Sequence, residues 1–213
     1  MSKKQRLVEF NASNILAAAK ELFSEKGVAQ TTMDDIAKKA EYSKSTIYAY
    51  FESKDEILNY IVLDHLVLLK KNIEDCLRFS TQFPDSFFAI CCTVARFYSE
   101  YPMYFETLLS EMKIPEFRSN TLLSQIYTLN EQICETIEVY LKICVTDGYV
   151  RELESPPQAT YILWSAICGI IESAHKKENF IRHKMGISKE EFMKNGFQLL
   201  LESIRAGVGE NAL

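Results

Sequence analysis

The stretch TTMDDIAKKAEYSKSTIYAYFESKDEIL, residues 31–58, decides the fold, because three helix-start signatures succeed one another within it. Thr32 precedes Asp35 in a Thr-x-x-Asp capping box, whose hydroxyl and carboxylate satisfy backbone N–H groups that a helix start leaves unpaired, and this predicts a short helix from about Met33 to Ala40. Ser43 caps a second short helix, in which Ile47 and Phe51 stand at i and i+4 and point inward. Ser53 with Glu56 repeats the capping signature for a third. Only Glu41, Tyr42 and Ser43 separate the first two, so those helices cross steeply as a helix-turn-helix.

With Ile47 and Phe51 inward, the other side of the second short helix presents Lys44, Ser45, Thr46, Tyr48 and Tyr50. Hydroxyls and phenols hydrogen-bond phosphates, and Lys or Ser can reach base edges in a DNA groove. Thr31, Thr32 and Lys54 stand at the neighbouring helix starts, where unpaired N–H groups and a partial positive charge favour phosphate. The same three caps would also serve an ordinary surface corner, so at this level both readings stand.

Working outward, residues 13–26 place Ile15, Ala18, Ala19, Leu22 and Phe23 on one face and meet Gly27, a helix stop. A long helix is predicted from Lys54 toward Phe79 on Ile57, Ile61, Leu66 and Leu69. Beyond it, Pro84 and Pro102 break the helical runs. Further helical patterns fill 85–100, 103–112, 120–147 and 157–178, and a last helix starts at Ser188, boxed with Glu191. No alternating pattern competes, so the chain is read as all-α, with a DNA-binding domain over 1–53 and a second helical domain over 54–213.

Composition narrows the function classes. Among 213 residues only 7 are Gly and 5 Pro, as long helices require, and the net charge of −5 argues against coating nucleic acid or membrane by bulk charge. Residues 1–54 nevertheless carry nine positive and seven negative side chains, +2 against −7 for the remainder. No run reaches the ~18 apolar residues of a membrane span and no leader is evident, so a cytoplasmic protein is expected. The six cysteines show no CxxC spacing and read as free thiols. His65, His175 and His183 form no metal-ligand set, and neither a nucleophile elbow nor a phosphate-binding glycine loop is present, so no enzyme, metal or cofactor is expected. His175 and His183 are read as solvated residues between the last two helices.

Gly27 together with residues 31–58 resembles the N-terminal domain of the TetR/AcrR family of transcriptional regulators, whose pattern runs TT-x-x-x-IA-x-x-AGVS-x-x-TLY-x-YF-x-SK-x-x-L. Thr31, Thr32, Ile36, Ala37, Ala40, Ser43, Thr46, Tyr48, Tyr50, Phe51, Ser53, Lys54 and Leu58 match in register. Glu41 stands where the family has Gly and Tyr42 where it has a small aliphatic. A non-glycine held at positive φ costs on the order of 1 kcal/mol. The resemblance implies a ligand-responsive regulator, most often a repressor, that binds a palindromic operator as a homodimer and is released by a small apolar or aromatic effector. It casts Ser43 and its helix as the recognition element, Lys44 and Ser45 as base readers, and Thr32, Thr46, Tyr48, Tyr50 and Lys54 as phosphate-facing. On that division Lys44→Ala relaxes sequence preference, whereas Lys54→Ala weakens binding to all DNA. The alternative is a helical interaction protein of the same fold that has lost DNA binding.

The segment ATYILWSAICGIIESA (159–174) is apolar nearly all round, and Ser165, Gly169 and Ser173 recur every four residues, which lets another backbone approach. The last helix adds Phe192, Gly196, Leu199, Leu200 and Ser203. By resemblance these two helices form a four-helix dimer interface. The resemblance also implies an effector cavity among the middle helices, for which the lining candidates are Phe88, Phe97, Tyr101, Tyr104, Phe105, Tyr127 and Trp164.

Overall fold

A computed structural model describes residues 2–79, 82–102, 105 and 121–207. The described helices are α1 (Lys3–Gln30), α2 (Met33–Lys39), α3 (Lys44–Tyr50), α4 (Lys54–Phe79), α5 (Asp85–Glu100), α6 (Leu122–Thr146), α7 (Pro156–Lys176), α8 (Glu178–Met185) and α9 (Lys189–Ile204). The fold is all-α. Among the described residues the only β pairing is an isolated antiparallel bridge between Val150 and Arg205. The helix expected over 103–112, and Tyr104 with it, lies outside the described residues apart from Phe105.

Two elements depart from expectation. α1 starts at Lys3 rather than near residue 13, because Ser2 and Gln5 form a capping box: the Ser2 hydroxyl accepts from the Gln5 amide, and the Ser2 amide donates to the Gln5 side chain at 2.7 Å. Its first turns expose Leu7, Val8 and Phe10, so they show no buried face to a periodicity reading. The segment expected to join the last two helices as a loop instead forms α8, which buries Ile181 and ends at Gly186 with φ 71°. His183 is exposed there, whereas His175, in the last turn of α7, is half-buried with its ring 4.6 Å from that of Tyr98.

The chain divides into two compact units, one comprising residues 1–65 and 114–127 and the other 66–113 and 128–213. The division falls within α4, after His65. In the first unit Ile15, Ala19 and Phe23 of α1, Ile36 of α2, Ile47 of α3 and Ile57 and Ile61 of α4 are almost wholly buried. Each large aliphatic or aromatic side chain so removed from water contributes about 1.5–3 kcal/mol. Gly27 ends the regular part of α1 with φ 81°, a conformation that favours glycine.

In the second unit the buried residues recur at helical spacing: Leu69 and Ile73 on α4, Phe87, Ile90 and Val94 on α5, Ile133, Ile137 and Leu141 on α6, Leu163, Ile167 and Ile171 on α7, and Phe197 and Leu201 on α9. α7 and α9 approach closely where Gly196 meets the Ile170 side chain. Cys91, Cys144 and Cys168 are buried. Burial pushes the Cys168 thiol up to about 12 and that of half-buried Cys134 to about 11, so both stay protonated and inert at neutral pH. No helix among the described residues is long and apolar enough to cross a membrane.

Candidate DNA-binding surface

The geometry of the helix-turn-helix begins with its caps. Thr32 accepts from the Asp35 amide at 3.1 Å, and the Asp35 carboxylate accepts from the Thr32 amide at 2.9 Å and the Thr32 hydroxyl at 2.7 Å. Lys26 of α1 donates to that same carboxylate oxygen at 2.8 Å. The Lys26 ammonium first, then the Thr32 hydroxyl and amide, hold the Asp35 carboxyl well below the usual range. Because the folded pKa is depressed, the stabilisation is complete above the ordinary carboxylate pKa of about 3.9 and is lost as pH falls through the folded value. Asp35→Ala is therefore expected to lower the unfolding midpoint at pH 7, with the gap to the parent protein narrowing below about pH 4; thermal unfolding across pH 2–7 checks it.

The turn itself carries the sequence's two departures from the family pattern. Glu41 has φ 59° and is the only non-glycine at positive φ among the described residues. The Tyr42 amide donates to the Ala37 carbonyl at 2.9 Å and the Glu41 amide to that of Lys38, which together close α2 in a Schellman motif. Tyr42 offsets the strain at Glu41 by tying the turn to α1: its phenol donates to the Asn11 carboxamide oxygen at 2.9 Å and accepts from Asn14 at 3.5 Å. The Asn11 amide nitrogen then donates to the Tyr50 phenol at 2.9 Å. One carboxamide thus links the turn and α3 to α1. Asn11 escaped the sequence reading because it falls before the start given to the first helix, and Asn14 because only the apolar positions of that helix were read.

α3 buries Ile47, and Phe51 just beyond it, on one side. On the other, Lys44, Ser45 and Tyr48 are exposed. Ser43 caps the helix by accepting from the Thr46 amide at 3.1 Å, and its hydroxyl lies 2.7 Å from that of Thr46 and 2.9 Å from that of Ser45. The Lys44 ammonium donates to an Asp34 carboxylate oxygen at 2.7 Å, which raises the Lys44 pKa. Asp34 was not among the expected site residues.

Two of the residues expected to face phosphate are engaged within the chain. Thr31 is 1% exposed, and its hydroxyl donates to the Gly27 carbonyl at 2.8 Å, closing the end of α1 from within. Lys54 donates to the Val28 carbonyl at 2.6 Å and the Thr31 carbonyl at 2.9 Å, so its charge serves the carbonyls at the C-terminal end of α1. Tyr50 is half-buried and held by Asn11. Ser43, Lys44, Ser45, Thr46 and Tyr48 lie on or at the start of α3, and Thr32 is exposed at the start of α2.

The other expected sites divide similarly. Of the effector candidates, Phe105, Phe97 and Trp164 are buried, and Phe88, Tyr101 and Tyr127 are half-buried. Phe97 packs on Tyr101 with centroids 5.3 Å apart, and Phe105 on Tyr98 at 4.8 Å. Phe97 also lines a cavity of about 420 Å³ with Cys76, Thr93 and Arg96. On the expected dimer helices, Leu199, Ser165 and Ser203 are exposed, Phe192, Leu200 and Ser173 half-buried, and among the described residues nothing beyond its own helix backbone comes within 4 Å of where a Cβ at Gly169 would stand. Gly196 is the exception: the close approach it allows is to Ile170 of its own chain.

Comparison with known proteins agrees with this architecture. The family model for bacterial regulatory proteins of the tetR family matches residues 15–61, which contain the helix-turn-helix. The HTH-type transcriptional regulator HbdR of Aromatoleum sp. (strain CIB) is 27% identical over 216 positions, covering 98% of this chain and 86% of HbdR. The solved structure of the TetR family transcriptional regulator PfmR from Thermus thermophilus is 26% identical with a TM-score of 0.65, covering 88% of this chain and 97% of PfmR. FadR from Bacillus subtilis, solved in complex with stearoyl-CoA, shares the fold at 16% identity and a TM-score of 0.66, over 91% of this chain and 99% of FadR. The matched segment falls on the capped helix pair, so residues 15–61 are similar to the DNA-binding domain of bacterial regulatory proteins of the tetR family, and the likeness to HbdR and PfmR extends along most of the chain.

Proposed function

We propose that this regulator binds a palindromic DNA operator as a homodimer through the open side of α3, represses transcription there, and is released when a small molecule occupies the C-terminal unit. The carrying observation is that α3 buries Ile47 on one side while leaving Lys44, Ser45 and Tyr48 exposed on the other. Seven residues of helix read few base pairs, so two copies related by a two-fold axis are required for a specific site. Exposed Ile162 and Leu199, with the open position beside Gly169, offer α7 and α9 for that pairing. An effector acts only through its different affinity for the DNA-binding and released arrangements, typically ~1–3 kcal/mol of coupling. The FadR complex with stearoyl-CoA supports a ligand-responsive C-terminal unit on this fold.

Asp34 sets the DNA affinity on this reading. Lys44 must exchange its carboxylate partner for DNA, so Asp34→Asn is expected to raise affinity for all duplexes by a few-fold, more at low salt. Lys44→Ala is expected to lower affinity for the operator more than for random DNA, and so to relax sequence preference. Fluorescence anisotropy against the gene's own upstream region and a scrambled duplex, at several salt concentrations, checks both. Absence of binding to either duplex by the parent protein and by Asp34→Asn would instead favour the interaction protein that has lost DNA binding.

A further inference from the structure

A cleft of about 600 Å³ opens in the C-terminal unit, bounded by Lys70 and Leu77 of α4, by Phe83 and Ser86 at the start of α5, and by one side of α6 continuing to Asp147 and Tyr149. Its volume falls in the range of small-molecule sites. On α6 the cleft residues Gln132, Glu135, Thr136, Val139 and Ile143 recur every three or four positions, which puts them on one side of the helix. Ile133, Ile137 and Leu141 are buried on the other. Val139 and Ile143 remain 57% and 54% exposed, a largely open apolar wall.

The polar groups of the cleft give it a sign. Ser86 Oγ and Tyr140 Oη meet at 2.6 Å. The rings of Phe83 and Tyr149 stack with centroids 5.8 Å apart and an interplanar angle of 23°. Glu135 and Asp147 are exposed, and neither has an ion-pair partner among the described residues, whereas Lys70 is paired with Glu74. Two unneutralised carboxylates, stacked aromatic rings and an uncovered aliphatic wall attract a positive charge on an apolar body and repel an anion of the same shape. We propose that this cleft binds an apolar organic cation.

The proposal is independent of DNA binding and is tested without DNA. Isothermal titration of the full chain with tetraphenylphosphonium and with tetraphenylborate compares two ions of nearly one shape and opposite charge. The phosphonium is expected to bind saturably and at least tenfold more tightly than the borate. The double variant Glu135→Gln, Asp147→Asn, altered at two exposed positions, should keep the parent circular dichroism and lose that preference. Tyr149→Ala should weaken the phosphonium several-fold. Failure of the phosphonium to bind, equal or tighter binding of the borate, or a preference unchanged in the double variant overturns the proposal. Operator binding in the anisotropy assay is read separately, so a failure of the cleft and a failure of the DNA-binding reading are distinguishable.

Discussion

Ile47→Ala is expected to destabilise the N-terminal unit by about 2–5 kcal/mol and to abolish specific DNA binding at temperatures where the parent protein binds. Ile47 is 0% exposed and is the one buried residue of α3. A seven-residue helix does not persist in water on its own propensity, so α3 holds its place through that side chain, Phe51 behind it and the Tyr50–Asn11 hydrogen bond. Truncation to Ala removes three carbons from a site closed on all sides, and the residual cavity adds to the lost transfer energy. Ile47→Val, which keeps most of the volume, should cost only about 0.5–1.5 kcal/mol. Ser45→Ala, on the exposed side, should leave the unfolding midpoint in place and change DNA affinity alone. Thermal unfolding and anisotropy on the three variants separate docking of the helix from what it reads. An unchanged midpoint for Ile47→Ala would mean that α3 is anchored elsewhere.

Gly196→Leu carries the second large effect. A Cβ at position 196 would stand 3.0 Å from two side-chain carbons of Ile170 and 3.2 Å from a third. Ala there requires Ile170 to shift, about 1–3 kcal/mol, and the branched Leu side chain requires α9 to move off α7. The expected result is a lower unfolding midpoint and, because both helices carry the proposed two-fold interface, a shift toward monomer in sedimentation velocity. Gly169→Ala provides the contrast. Beyond its own helix backbone, none of the described residues comes within 4 Å of its Cβ position, so the substitution should stabilise the isolated subunit by up to about 1 kcal/mol through helix propensity. If Gly169→Ala also weakens self-association, a second copy approaches there; unchanged association places the interface elsewhere on α7.

The capped starts of α2, α3 and α4 were legible in residues 31–58 because a cap is a local exchange between neighbours three residues apart, and Thr32–Asp35, Ser43–Thr46 and Ser53–Glu56 all form. The periodicity that marked α4 likewise placed Ile57, Ile61, Leu66 and Leu69 in the interior. What escaped was tertiary. Asn11 lies 31 residues from Tyr42 and 39 from Tyr50, and no spacing rule couples residues so far apart. Thr31 and Lys54 bond to carbonyls of α1 and of the turn after it, contacts across the fold that the local motif does not spell out. The α6 cleft was missed for a related reason: the expected lining candidates were all aromatic, whereas the cleft is marked by exposed aliphatics, Val139 and Ile143, visible only once the helix has been packed.

The carboxamide of Asn11 has an implication for protein engineering. Specificity modules are usually exchanged as contiguous cassettes, and a cassette of residues 31–54 from this protein would leave its anchor behind. In a host with an aliphatic residue at the Asn11 position, two phenols would lose their partners and the Glu41 corner its counterweight. A transplant that retains operator preference must therefore carry the first helix from Asn11 onward, making residues 11–54, rather than the helix pair alone, the smallest portable reading head.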